Sequence, residues 1–293
     1  MANKRIIVKR RKSVRNIRKI TRTMQLIATA RFQAAFNRAV ATRPYTEKLA
    51  ELVGDIAAAS ENIDHPLLQR HDDVKKTALV VITSNRGLCG GFNANVLRAV
   101  VGHLDEQIAG GFETGVHMVG KKGVNYFRFL RRPLAERITN IGDKPRFSDV
   151  EPLANSLMER FTKGEIGAVH VAYMRFVSAG SQRPTIAPLL PLTREAMGAT
   201  DSKKPSRNIE YEFSPEPGQL LNELLPATVR IRLFQCFTDA MVSEQIARMV
   251  AMKAATDAAG DMIKSLTREY NRARQTQITM ELLDIVGGAN ALA

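Results

Sequence analysis

The sequence predicts an α/β fold with long helices, in which N- and C-terminal helices wind around each other and the chain between them forms an α/β domain. Three observations predict it. The first fifty or so residues keep a helical rhythm with a single proline, Pro44, and no glycine before Gly54. The middle of the chain alternates apolar, β-branched runs with amphipathic helical stretches, the pattern of a mostly parallel sheet covered by helices. From Pro226 to about Val286 there is no further proline, and Gly260 is the sole glycine. If unbroken, that last stretch makes a rod of roughly 90 Å at 1.5 Å per residue, longer than an α/β domain of this size accommodates. An ordinary helical bundle would need glycine or proline turns, and they are missing.

The N-terminal helix is predicted from about Val8 to Ile56. Ile17, Ile20, Met24 and Ile27 recur at spacings of three, four and three, the a/d rhythm of a coiled-coil seam, and are predicted to face the other long helix. Ala28, Ala30, Ala34, Ala35, Ala39 and Ala41 add helix propensity and a slim profile. Pro44 is read as a kink rather than an end. A polar stretch from Glu61 to Lys76, containing Pro66, reads as a linker.

In the middle, Thr77–Ser84 is a buried strand ending in a glycine-rich turn, and Asn93–His103 is helical. Val116–Val119 is a second strand, followed by a helix over Lys121–Leu130. Asp149–Lys163 is an amphipathic helix with Ser148 or Asp149 as its cap. Ile166–Val177 and Pro184–Leu192 are two more strands, completing a Rossmann-like α/β domain. Gly198–Asn208 is a second linker, and Ile209–Phe213 alternates like a short edge strand. The predicted division is 1–60 for the N-terminal coiled-coil helix, 75–208 for the central domain and 209–293 for the edge strand and C-terminal helix. Pro226 is placed in that helix's first turn. Its close approach to the partner is assigned to Ala247, Ala251, Ala254, Ala255, Ala258 and Ala259, with Met241, Met252, Met262 and Leu266 filling the seam.

At 44% hydrophobic the chain can bury a real core, which argues against disorder. No apolar run approaches the roughly 18–20 residues that span a bilayer. Two cysteines, Cys89 and Cys236, are too few for a disulfide framework or zinc site and suggest a reducing compartment. The net charge of +14 is concentrated at one end: 13 of the 43 lysines and arginines precede the first acid, Glu47, leaving 30 basic against 29 acidic residues from Glu47 onward. Such an arm seeks an acidic partner. It also resembles a mitochondrial transit peptide in composition, but the helical pattern continues past any cleavage point. A basic nucleic-acid-binding coiled coil is the alternative function. Against it stand the apolar stripe on the arm, which demands an apolar partner, and the lack of any recognised binding motif.

Two glycine-rich segments invite a nucleotide reading. Gly115 to Lys122 nearly fits a phosphate loop, but Lys122 stands where Ser or Thr should ligate magnesium, and the residues between the glycines are the strand itself. Arg86 to Asn93 lacks the dinucleotide spacing and reads as a tight structural turn. The five histidines show no metal-ligand spacing, with His117 and His170 in apolar strands, and Ser84 is in no nucleophile elbow. No catalytic residue, cofactor site or metal site is predicted.

The two ends carry a resemblance. Ile278-Thr-Met-Glu281-Leu-Leu-Asp284-Ile-Val-Gly-Gly288-Ala289 is similar to the C-terminal signature of the gamma subunits of F-type ATP synthases. Tyr270 to Gln275 and Ala247 to Thr256 also resemble that family, as do Lys19-Ile-Thr21-Arg-Thr-Met24, with Thr23 in place of the usual alanine, and the Ser84–Asn93 turn. The likeness extends over essentially the whole chain and is weakest in the central domain. It implies that the terminal helices pair as an antiparallel coiled coil, in a non-catalytic central rotor shaft coupling ion flow through the membrane sector to conformational change in catalytic beta subunits. The implied partners are a ring of alpha and beta subunits, an epsilon subunit and a ring of c subunits, at the cytoplasmic face of a bacterial inner membrane. The regulatory cysteine insert of chloroplast members has no counterpart here. The resemblance also implies that Arg274, Gln275, Thr279 and Glu281 are polar contacts near the upper shaft, and that Met24 and Arg248 lie near the beta subunits' lower loops. Ile278, Leu282 and Ile285, spaced four and three, would form an apolar bearing at the tip.

Overall fold

The computed structural model describes residues 4–59, 65–71, 73–192 and 217–292. The linker assigned to Gly198–Asn208 and the edge strand assigned to Ile209–Phe213 lie outside the described residues, as does part of the Glu61–Lys76 linker. The chain forms two compact units, one of Met1–Ala30 with Arg248–Ala293 and one of Arg31–Ala247. Helices α1 (Lys4–Ala59) and α5 (Pro217–Leu292) contribute to both.

The larger unit is built on a five-stranded sheet. Its strands are β1 (Lys76–Ile82), β2 (Glu113–Val119), β3 (Glu136–Ile138), β4 (Ala168–Ser178) and β5 (Ser181–Leu190), in the order β3-β2-β1-β4-β5. The first four are parallel and β5 runs antiparallel at the edge. Strand β1 lies centrally, with Leu79 opposite Val116 on one side and His170 on the other. Apart from Lys76 every residue of β1 is buried, as both-face covering requires. Helix α2 (Phe92–Ala109) covers the sheet through Val96, Leu97, Val100 and Leu104, α3 (Lys121–Phe129) through Val124 and Phe127. Helix α4 (Phe147–Thr162) buries Val150, Leu153, Ala154, Leu157, Met158 and Phe161, one stripe at helical spacing.

Two predicted details are corrected. The cap of α4 is Arg146, whose backbone N–H donates to the Asp149 carboxylate at 2.9 Å, so Asp149 acts from inside the first turn. Helix α5 begins at Pro217, which places Pro226 in its interior rather than its first turn. A proline there removes one helical hydrogen bond at a cost of about 3 kcal/mol. Burial of Leu221, Leu225, Val229, Leu233 and Phe237 along one face of the same stretch offsets it. Pro44, in contrast, leaves α1 continuous as predicted.

Candidate functional site

The smaller unit is a two-helix coil, and its pairings establish its direction. Thr256 donates a hydrogen bond to Thr21 at 2.8 Å. The Arg18 guanidinium lies close to Gly260, and Arg11 and Lys4 lie over the Tyr270 ring at 4.9 and 5.8 Å from its centroid. As numbers rise on one helix they fall on the other, so the helices are antiparallel.

The seam differs from the predicted one. On α1 the buried positions are Ile7, Thr21 and Ala28, with half-buried Val14 between them, a heptad of mostly small residues. Ile17, Ile20 and Ile27 are 51, 59 and 48% exposed, and Met24 is half-buried. On α5 the buried positions are Arg248, Met252, Thr256, Ala259 and Leu266. Met262, assigned to the seam, is exposed, as are Ala254 and Ala258. The physical reason is helix approach. Thr and Ala let two backbones come close enough for the threonine pair to bond, whereas a seam of isoleucines would hold them apart. The isoleucine stripe flanks the seam and is left uncovered by this chain.

The coil's partners stop at Tyr270 and Ala273. From Arg274 to Ala289 every residue of α5 is exposed. That segment carries the residues singled out at the C-terminus. Arg274, Gln275, Thr279 and Glu281 all face solvent, with Thr279 donating to the Gln275 carbonyl at 3.0 Å and Gln277 to the Glu281 carboxylate at 2.8 Å. Ile278, Leu282 and Ile285 are 43, 56 and 68% exposed, on one face of the helix. Met280 and Leu283 extend apolar surface around the remaining circumference. Arg248 is buried in the seam and Met24 lies at its edge, so the six predicted polar and torque residues are not gathered into one cluster.

The larger unit shows why its glycine-rich segments are structural. At the start of α3 the Lys121 N–H donates to the Asn85 side chain at 3.1 Å, the Lys122 N–H to the Ser84 carbonyl at 3.1 Å and the Gly123 N–H to the Thr83 hydroxyl at 3.0 Å. The donors a phosphate would need are already engaged. Gly120 sits at φ +94°, and a Cβ there would collide with the Thr83 carbonyl oxygen. In the Arg86–Asn93 turn, Asn93 accepts from the Ser84 N–H at 3.0 Å and donates to the Ser84 hydroxyl at 2.8 Å, while Leu88 and Gly90 adopt positive φ. His117 is buried between Glu136 at 2.9 Å and Arg160 at 3.3 Å. Burial, reinforced by Asp239, pushes the Cys236 thiol up to about 12, so it stays neutral. Among the described residues no three His, Cys, Asp or Glu side chains come together as a metal site would require.

An antiparallel two-helix coil with a bare apolar end, carried in one chain with a mixed-sheet unit that holds no assembled catalytic site among the described residues, defines a class: a protein that offers exposed helical faces rather than a reaction centre. Residues 3–292 match the family described as ATP synthase. The chain is 44% identical to the ATP synthase gamma chain of Rhodopirellula baltica, covering all of this chain and 99% of that one. It is 42% identical to the ATP synthase gamma chain of Leptospira biflexa, with both chains covered in full. A chain of the Euglena gracilis mitochondrial ATP synthase (OSCP/F1/c-ring, rotational state 3) shares the fold at a TM-score of 0.68 and 19% identity, covering 99% of this chain and 94% of that one. The central stalk of the Tetrahymena thermophila mitochondrial enzyme superposes at 0.56 and 23% identity, over 80% of this chain and 99% of the other. The chain belongs to the ATP synthase family, as its gamma chain.

Proposed function

We propose that the chain is the central rotor shaft of a proton-translocating ATP synthase, itself non-catalytic. It would turn within a ring of alpha and beta subunits, bind epsilon and the c-ring, and lie peripherally at the cytoplasmic face of a bacterial inner membrane. The full-length relationship to two gamma chains at 42 and 44% identity carries this reading. The surface fits it. A helix end with Ile278, Leu282 and Ile285 bare is an apolar patch that calls for a sleeve, and the uncovered Ile17, Ile20 and Ile27 stripe calls for further apolar contact. The exposed basic face of α1 suits acidic loops. Among the described residues no helix is long and apolar enough to cross a membrane, and attachment would be through other subunits.

Mechanically, an asymmetric shaft presents a different face to each of three equivalent subunits and so biases their open and closed states by differential contact. In this reading Met24, Arg248, Arg274, Gln275, Thr279 and Glu281 supply position-dependent contacts, while the tip residues supply a low-friction apolar bearing. A nucleic-acid role for the basic arm finds no support in the relatives named above. Co-expression with the alpha, beta and epsilon subunits of the same genome tests the proposal. The tagged chain is expected to bring down alpha and beta in equal amounts, with epsilon in fixed ratio to itself. Purification of the chain alone would overturn it.

A further inference from the structure

The larger unit contains a cavity of about 580 Å³ that the shaft reading does not use. This is within the size range of small-molecule sites. It is lined by Arg31, Arg38, Arg86, Lys121 and Lys144 and by one carboxylate, Asp143. That carboxylate is already shared between Arg31 at 3.0 Å and Arg86 at 3.7 Å. The lining thus carries five cationic side chains and one carboxylate, with Lys121 and Lys144 outside that shared pair.

A second observation is independent of charge. Gln245 also lines the cavity, is 2% exposed, and its Oε1 has no hydrogen-bond partner. A buried amide oxygen left unmet is costly, and such a group in a folded protein requires an explanation. Met241, Ala34 and Ala35, which also line the cavity, are apolar and offer no side-chain donor.

We propose that this cavity binds a short phosphate chain, the diphosphate unit of pyrophosphate or of a nucleoside diphosphate. Its oxygens accept from the arginine forks and the lysines, the geometry at which arginine excels. Near neutral pH such a chain also keeps a P–OH group for part of the time, and that hydroxyl donates to Gln245. Were the amide seated the other way round, its N–H₂ would meet an anionic oxygen instead, so either orientation is satisfied. Sulfate, fully deprotonated, offers acceptors only. The backbone donors at the start of α3 play no part, being engaged already.

Calorimetry of the full-length chain with pyrophosphate tests this, because the basic arm could bind polyanions without any site. One saturable site per chain is expected, with sulfate about tenfold weaker or worse. The paired substitution Lys121→Gln, Lys144→Gln should weaken pyrophosphate at least about tenfold. Gln245→Leu should weaken it too at unchanged net charge, while its melting temperature without ligand stays equal or rises, since an unmet polar group has been removed. Arg10→Gln with Arg15→Gln, in the arm, should change nothing. Competition by ADP would show that the nucleotide-borne chain uses the site, and its absence that the inorganic one does; both retain the proposal. Unsaturable binding, equal affinity for sulfate, or equal losses from arm and cavity substitutions would overturn it. So would tighter binding of a glutamate-rich peptide that displaces pyrophosphate, which would assign the cavity to a protein partner.

Discussion

The two units bury their residues in opposite ways. In the sheet unit the core is large and apolar: Phe127, Phe161, Leu79, Leu157 and Leu225 are essentially without solvent exposure. The two-helix unit keeps a narrow seam of Ile7, Thr21, Ala28, Met252, Thr256, Ala259 and Leu266, and leaves much larger aliphatic side chains outside. A sheet covered by helices encloses volume, so its apolar residues serve stability. A pair of helices encloses only a line, so most of its apolar surface is available to other molecules. One unit is read by what it hides and the other by what it shows.

The contrast is sharpest under truncation. Phe161→Ala, which empties a fully buried site against His71, should lower unfolding free energy by about 3–5 kcal/mol in urea titrations of the whole chain. Ile20→Ala, on the bare stripe of α1, should move it by no more than about 0.5 kcal/mol. Equal losses would mean that the stripe is packed in the isolated chain and that the comparison fails.

Next in size is an effect on coupling. Met24→Lys puts an ammonium at the edge of the seam, where a partner carboxylate could hold one rotary position. A charged hydrogen bond contributes about 1–3 kcal/mol, or five- to hundred-fold on the step that breaks it. Hydrolysis and proton pumping measured side by side in reconstituted membranes should show impaired energy transfer with assembly retained, and Met24→Leu should be nearly silent. Unchanged pumping per ATP and unchanged turnover in the lysine variant would make Met24 a packing residue only.

A double-mutant cycle refines the seam itself. Thr21→Val or Thr256→Val alone removes the bond between the helices, while the surviving hydroxyl keeps the carbonyl of its own helix turn, Arg18 or Met252, so each should cost about 0.5–1.5 kcal/mol and the double variant less than their sum. Strictly additive losses would show that the 2.8 Å bond is not coupled. The smallest effect concerns pH. Burial, with His103 adding repulsion, holds the His170 imidazole below its ordinary value of 6.5, and burial does the same for His65. The unfolded chain therefore binds these protons more readily, so stability should be full above about pH 6.5 and decline as pH falls through the lowered range. His170→Gln should flatten part of that decline in melts at pH 7.5 and 5.5. An unchanged slope would exclude it as a contributor.

How legible each unit was in the sequence follows the same division. Strand β1 and helix α3 could be placed within two residues because buried runs and glycine signals are local. Strand β3 was missed: Glu136-Arg137-Ile138 is three residues with a single buried side chain, and its strand character comes only from pairing with β2. The seam of α1 was misassigned because isoleucines outweigh alanines in a hydrophobic pattern. The heptad Ile7, Val14, Thr21, Ala28, Ala35 is nevertheless visible in the sequence once small residues are counted as seam formers. The bare C-terminal residues were singled out only through family resemblance, since Ile278, Leu282 and Ile285 would equally suit a packed coil. Gln245 gave no signal, being an unremarkable helix residue until its burial is known.

The exposed end of α5 has a consequence for synthesis rather than for rotation. Until a partner encloses it, a segment of some sixteen residues with six bare aliphatic side chains is adhesive toward any similar surface, including a second newly made copy of this chain. If the proposed sleeve is its partner, production in excess of that sleeve would be penalised by aggregation, and the ratio in which the subunits are translated becomes a matter of solubility. The feature that would fit the helix to the proposed bearing would also make the chain a poor orphan.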